Sequence, residues 1–298
     1  MKKVFVSGLV NVESSIKNCE FPMPYSPIEY SFNGINSCVS GVGFNVSLAF
    51  KKLGDDVVLS SFVGDDILGE LIKIETNKCN LNTDFSISNI SSTGESIILV
   101  DQSGKRKIYC DLKNLQEENY SNKEINRFIN SNFDLYILTN INFNRELLFE
   151  VKKKNKLIAS DVHCIYDIND DFNRDFMINS DILFLSNEYI KRRESEFLVE
   201  LYNAYHNKVI VVGCGDEGAL AYVGSKNQFY YSKAIAPKGI VSTVGAGDAL
   251  FSSFLHFYIN GENVETSLKK ATIFAGIKIS SSGGSNGFVS EEEILKYI

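Results

Sequence analysis

The sequence predicts an α/β fold in three αβα layers, with a mostly parallel central sheet and a small β-sheet lid. Three observations predict it. From residue 121 onward, short and continuously apolar runs alternate with helical periodicity, the signature of a parallel sheet covered on both faces. Two β-type excursions, at about 19–32 and 85–109, interrupt the earlier alternation and suit a small sheet covering a cleft. Glycine-rich turns stand where strand-like runs give way to helical ones, the end of an α/β sheet at which ligands bind.

The bounds agree. A chain of 298 residues, 44% hydrophobic and 22% charged, can bury a full core. No repeat, low-complexity block or long linker divides it, so residues 1–298 read as one domain with a lid at about 13–38 and 86–110. A net charge of −7 argues against a nucleic-acid partner. No apolar run nears the roughly 20 residues that span a bilayer, so no membrane association is expected. The six cysteines are scattered without a Cys-x-x-Cys pair, and there are only three histidines. That argues against a zinc site or disulfide framework and for a cytoplasmic protein with reduced thiols.

Taken in order, Lys3 to Gly8 alternates as a first strand whose tail presents Asn11 and Glu13 on one side. Pro22, Pro24 and Pro27 mark an edge or loop excursion, after which Ile28 to Phe32 alternates as a strand. Ser40-Gly41-Val42-Gly43-Phe44-Asn45 opens a helix that stops at Leu53-Gly54, and bare backbone at Gly41 and Gly43 beside Asn45 suits a hydroxyl-rich ligand. Val57 to Val63 reads as a strand, and Asp65-Asp66 as the cap of the next helix rather than a metal pair. Ser96 to Val100, the turn Asp101-Gln102-Ser103-Gly104 and Lys105 to Tyr109 form a hairpin pattern. Helices are expected at 121–131, 145–154 and 189–206. Strands are expected at 135–138, 157–160, 182–185, 208–212 and 218–223.

Two glycine-rich stretches carry chemistry. Gly213-Cys214-Gly215-Asp216-Glu217-Gly218 spells a dinucleotide fingerprint, but a strand-like run follows it and no acidic residue stands about 20 positions on. It reads instead as a strand–turn–strand hairpin whose glycines line a nucleotide pocket. Gly245-Ala246-Gly247-Asp248, with the apolar helical run from Ala249 after it, reads as a tight turn feeding a helix N-terminus. Exposed amides and the helix dipole favour an anion there. Asp248, kept ionised in the first turn, stands beside them as a base. Donors for a phosphate next to a carboxylate are the minimum for moving a phosphoryl group onto a hydroxyl.

Taken together, these stretches resemble the ribokinase-like (PfkB) family of carbohydrate and nucleoside kinases nearly end to end. Ser40 to Asn45 with its Leu53-Gly54 stop resembles the N-terminal signature, and Val63 to Gly69 the Gly-Asp-Asp-x-x-Gly segment. Thr93-Gly94 with the 101–104 turn resembles the lid, and Ser242 to Asp248 the C-terminal signature. The resemblance implies a Rossmann-like, ribokinase-like architecture and an ATP-dependent transfer to a hydroxyl, with a hydroxymethyl expected, of a sugar or sugar-like compound. It implies that Asp248 is the general base and that Gly245, Ala246 and Gly247 donate amides to the transferred phosphate. Asn11, Glu13, Gly41, Val42 and Asn45 fall on the sugar or nucleoside side. Asn187, Gly215, Gly218 and Thr243 fall on the nucleotide side. Mg2+ would come mainly with ATP and water, and relatives that pair lids make a homodimer through the lid an expectation. Pocket residues from loops after strands include Asn140 and Asp161.

Four positions depart from the family pattern. Ser242 replaces an Asp that helps hold a monovalent cation, which leaves cation dependence open. Ile190 takes the last position of the Asn-x-x-Glu metal-associated motif begun by Asn187, with Glu188 as a substitute acting through water. Glu13 stands for the usual Asp. Phe44 stands where a pseudouridine-kinase branch commonly has Arg, and its ring would suit stacking on a base. A nucleoside (pseudouridine-type) kinase, or a catalytically weak ligand-binding protein on the same fold, are the alternatives to a sugar kinase.

Overall fold

A computed structural model describes residues 1–83, 87–90, 92–102 and 105–298. Phe85 of the second excursion and the turn residues Ser103 and Gly104 lie outside the described residues. The chain begins β1 (Lys3–Ser7), β2 (Asn11–Cys19), β3 (Ile35–Ser40), α1 (Val42–Lys52), β4 (Asp56–Ser60), β5 (Phe62–Gly64) and α2 (Ile67–Lys78). Next come β6 (Ile87–Ile90), β7 (Glu95–Asp101), β8 (Arg106–Asp111), α3 (Asn122–Asn130), β9 (Leu135–Leu138), α4 (Arg145–Lys153) and β10 (Ile158–Cys164). The chain continues with α5 (Arg174–Asn179), β11 (Ile182–Ser186), α6 (Glu194–Tyr205), β12 (Val209–Gly213), β13 (Ala219–Val223) and β14 (Gln228–Ser232). It ends in α7 (Ala246–Ile259), α8 (Val264–Lys278) and α9 (Glu291–Leu295).

Eight strands form the central sheet in the order β14-β13-β12-β11-β10-β9-β1-β4. Its pairings are parallel except at β12–β13 and β13–β14. The two-residue period of the strands divides the core. Val4, Val6, Ile137 and Val211 pack with α1, α7 and α8 on one face. Phe5, Tyr136, Leu138 and Val212 pack with α3, α4, α5 and α6 on the other. The three layers follow from that alternation. A separate four-stranded sheet, β3-β2-β7-β8, stands apart from the body.

Asp66 caps α2, accepting from the Gly69 amide at 2.8 Å, and its carboxylate also accepts from the amide and hydroxyl of Thr93, each at 2.7 Å. One side chain therefore fixes both a helix start and the chain's entry into β7, which settles the Asp65-Asp66 reading as a cap. The fingerprint-like stretch 213–218 is the turn of the antiparallel β12–β13 hairpin, as its context predicted.

Several boundaries differ from the sequence reading. Asn11 and Glu13 are not the tail of β1 but open β2, because Gly8 and Leu9 turn the chain toward the second sheet. Ile28 to Phe32 is irregular, with Ile28, Tyr30 and Phe32 exposed; the turn at 32–34, with Asn33 at positive φ, starts the return strand at Ile35 instead. The apolar run from Val57 to Val63 breaks at Ser61 into β4, which pairs with β1, and β5, which pairs with β6. The helix expected at 189–206 begins only at Glu194, because Arg192 adopts φ 70°.

Candidate active site

The turn before α7 is built by glycine. Gly245 has φ 78°, and a Cβ there would stand 2.4 Å from the Gly284 carbonyl oxygen and 3.0 Å from Lys278 Cε. Gly247 opens onto free space, where a Cβ would meet nothing within 4 Å. No side chain caps α7, so the first-turn amides lack the partner that a Ser or Asp cap would provide. The Ala246 amide already donates to the Thr243 carbonyl at 3.2 Å, which leaves Gly245 and Gly247 as the freer of the three predicted donors.

Four polar side chains run in a line to this turn. Ser40 Oγ donates to Glu13 Oε2 at 3.0 Å and lies 3.3 Å from Asn45 Nδ2. Asn45 Nδ2 donates to Asp248 Oδ2 at 2.7 Å, which leaves Asp248 Oδ1 for another partner. Asn11 donates to Ser96 Oγ at 3.1 Å. Asn11 Oδ1 and Glu13 Oε1 are buried without a hydrogen-bond partner. A buried polar oxygen left unpaired is costly, and a ligand hydroxyl would relieve it. Gly41, at φ 98°, lets the backbone pass within contact of Leu9, so Gly41 and Val42 open α1 beside this line.

The electrostatics depart from the sequence reading of Asp248 as a carboxylate held readily ionised. Burial pushes it above the ordinary aspartate value. The Asn45 hydrogen bond, His163 and Lys278 pull it back, while Asp161 adds repulsion. Asp161 and His163, at the end of β10, are thus brought to the same carboxylate. Asn140 donates to Asn173 at 2.9 Å.

The nucleotide-side candidates lie along the sheet end. Asn187 is buried, and its side chain donates to Glu194 at 2.8 Å. Glu188 is exposed, and Ile190 is packed in the core. The carboxylate beside Asn187 is therefore Glu194, one helical turn beyond the motif position. Gly213 packs on Leu250 of α7, which brings the turn carrying Gly215 and Gly218 to the helix of Asp248. Gly215 is open, whereas Gly218 is pressed against the 232–234 backbone. Arg106, reaching from β8 of the smaller sheet, donates to the carbonyl of Thr243 at 3.1 Å and to its hydroxyl at 3.3 Å.

Sequence reading missed Lys278, Gly284, Glu194 and Arg106. Gly284 presses on Ser40, Asn45 and Gly245 together, and the Gly283-Gly284 doublet was the available clue. A lysine ending the apolar run Ile273-Phe274-Ala275-Gly276-Ile277 was the clue to Lys278. Phe44 is fully buried in the core, which removes it as a stacking platform.

The family model described as "pfkB family carbohydrate kinase" matches residues 1–291. A provisionally assigned 1-phosphofructokinase of Mycoplasma genitalium is 27% identical over 270 residues, spanning 82% of this chain and 81% of that protein. A microbiome-derived acarbose kinase superposes with a TM-score of 0.88 at 22% identity, covering 99% of this chain and 98% of that one. Arabidopsis thaliana ribokinase, solved with ribose and ATP, superposes with a TM-score of 0.78 at 19% identity over 99% and 98% of the two chains. The fold is ribokinase-like.

Proposed function

The chain belongs to the pfkB family of carbohydrate kinases, and on that premise we propose that it moves the γ-phosphoryl group of ATP onto a hydroxyl, preferentially a hydroxymethyl, of a sugar or sugar-like small molecule. The observation that carries this reading is the line Glu13–Ser40–Asn45–Asp248, which ends on a half-buried carboxylate at an uncapped helix start. In this reading the unpaired Glu13 Oε1 and Asn11 Oδ1 accept from ligand hydroxyls. Gly41 and Val42 let the ligand approach the backbone. Asp248 takes the proton of the reacting hydroxyl through the carboxylate oxygen that Asn45 leaves free.

The Gly245 and Gly247 amides face the charge that develops on the transferred phosphate, with the Ala246 amide completing the turn. Removing one such donor typically costs about 10² to 10³ in rate. The open Gly215, with Gly218, Thr243 and Asn187, lines the nucleotide side. Magnesium, when bound with ATP, would spread the negative charge of the phosphates. Glu194, paired with Asn187, fits that role through water better than the exposed Glu188.

Incubation with magnesium-ATP and a panel of pentoses, hexoses and nucleosides, following ADP release, tests the reading. Turnover of a sugar supports it. Turnover of nucleosides alone would replace it with the nucleoside-kinase reading. The lid also suits self-association, because Ile97 and Tyr109 are paired neighbours on β7 and β8 and both are about half exposed. Sedimentation should then show a dimer, and a monomer at all concentrations would remove that part of the proposal.

A further inference from the structure

The family pattern that holds a monovalent cation beside the catalytic turn uses an Asp where this chain has Ser242. The residues present do not fit such an ion. Ser242 is neutral, and its hydroxyl accepts from the Val244 amide at 3.3 Å, inside its own turn. The Val244 carbonyl accepts from Lys278 Nζ, and so does the Gly283 carbonyl at 2.7 Å. Lys278 ends α8 and is 0% exposed. Carbonyl oxygens from separate chain segments converging on one desolvated positive centre is the arrangement that replaces the hydration shell of an alkali cation. Here the positive centre is covalently attached.

We propose that the Lys278 ammonium is a built-in monovalent cation, which ties the 242–245 turn to Gly283-Gly284 and frees that turn from any need for exchangeable potassium or sodium. An added ion at the same carbonyls would sit against the ammonium and be repelled. The groups facing Lys278 are Asp248 on α7, Glu13 on β2, Cys38 on β3 and, as a competing cation, Arg106 on β8. Burial lowers the Lys278 pKa to about 8, so it is still mostly charged at neutral pH. The geometric consequence falls on Gly245, held in its left-handed conformation between Lys278 Cε and the Gly284 carbonyl. Lys278 is thus a positioning residue that acts through the turn. The inference rests on the kinase reading only where nucleotide binding is measured.

The test compares melting temperature and ADP affinity, measured with magnesium, in potassium, ammonium and tetramethylammonium chlorides at equal ionic strength. Tetramethylammonium is too large to enter a carbonyl cage. For the unaltered protein the proposal expects the same melting temperature and the same ADP affinity in all three salts. A potassium-dependent rise in either would overturn it, and this arm requires no variant to fold. Lys278→Ala should lose about tenfold or more in ADP affinity in tetramethylammonium, as expected for lost charge-assisted hydrogen bonds. Potassium or ammonium should restore much of that loss, a rescue that a purely structural lysine would not show. If Lys278→Ala binds and melts like the unaltered protein in tetramethylammonium, the proposal fails. Absence of ADP binding in every salt would count against the kinase reading, while the melting comparison would still judge the cation.

Discussion

Burial raises Asp248 above the ordinary aspartate value, and the Asn45 amide, His163 and Lys278 draw it part of the way back. A base works in its deprotonated form, so the rate should rise with pH through this raised pKa. The acid limb of the kcat/KM profile is therefore expected above 3.8, the ordinary aspartate value. Asn45→Ala removes a hydrogen bond that favours the charged carboxylate and should move that limb further up while lowering kcat. A limb that stays in place in Asn45→Ala would mean that Asp248 is not the group being titrated. The shift also bears on catalysis: a carboxylate of higher pKa is a better proton acceptor for an alcohol. Sequence alone could not reveal it, because Asn45, Asp161, His163 and Lys278 meet Asp248 from separate parts of the chain.

At the scale of the element, the start of α7 depends on one backbone conformation. Gly245→Ala places a Cβ at positive φ and against the Gly284 carbonyl, and it should destabilise the protein by roughly 1–3 kcal/mol. A denaturation midpoint unchanged in that variant would show that the turn relaxes freely. This turn was legible in the sequence because glycine, a following carboxylate and helical apolar spacing are local features. So were the Asp66 cap and the β12–β13 hairpin. The strand at Ile28 to Phe32 was misread because alternation of exposed residues carries no burial information, while Asn33-Gly34 makes a turn. Ile190 looked like a lost metal position, but Glu194 returns a carboxylate to Asn187 from the first turn of α6, a contact that no local spacing encodes. Lys278 lies at the end of a helix that the sequence reading did not reach, and its role appears only when the Val244 carbonyl, from the turn before α7, joins the nearby Gly283 carbonyl at its ammonium.

At the scale of the molecule, the smaller sheet meets the body through hydrogen bonds from Arg106 to Thr243, on the side proposed for the nucleotide. Exposed contacts of this kind are worth about 1 kcal/mol or less, so Arg106→Ala should raise KM by no more than about fivefold and leave melting unchanged. A large loss of kcat would instead place Arg106 in the reaction. Closure of the lid over ligands should appear in solution scattering as compaction when ADP and a turned-over sugar are added. No change in radius of gyration would contradict a mobile lid. In the proposed reaction the labour is divided: the sheet end and α7 would supply the carboxylate and amides, and the smaller sheet would supply Asn11, Glu13 and Arg106. The most direct measurement is ADP release by Asp248→Asn beside the unaltered protein, with ADP affinity measured on both. A loss of turnover by about 10² to 10⁴ with ADP affinity retained is the predicted result for a general base. An Asp248→Asn variant that turns over at the normal rate would contradict the account.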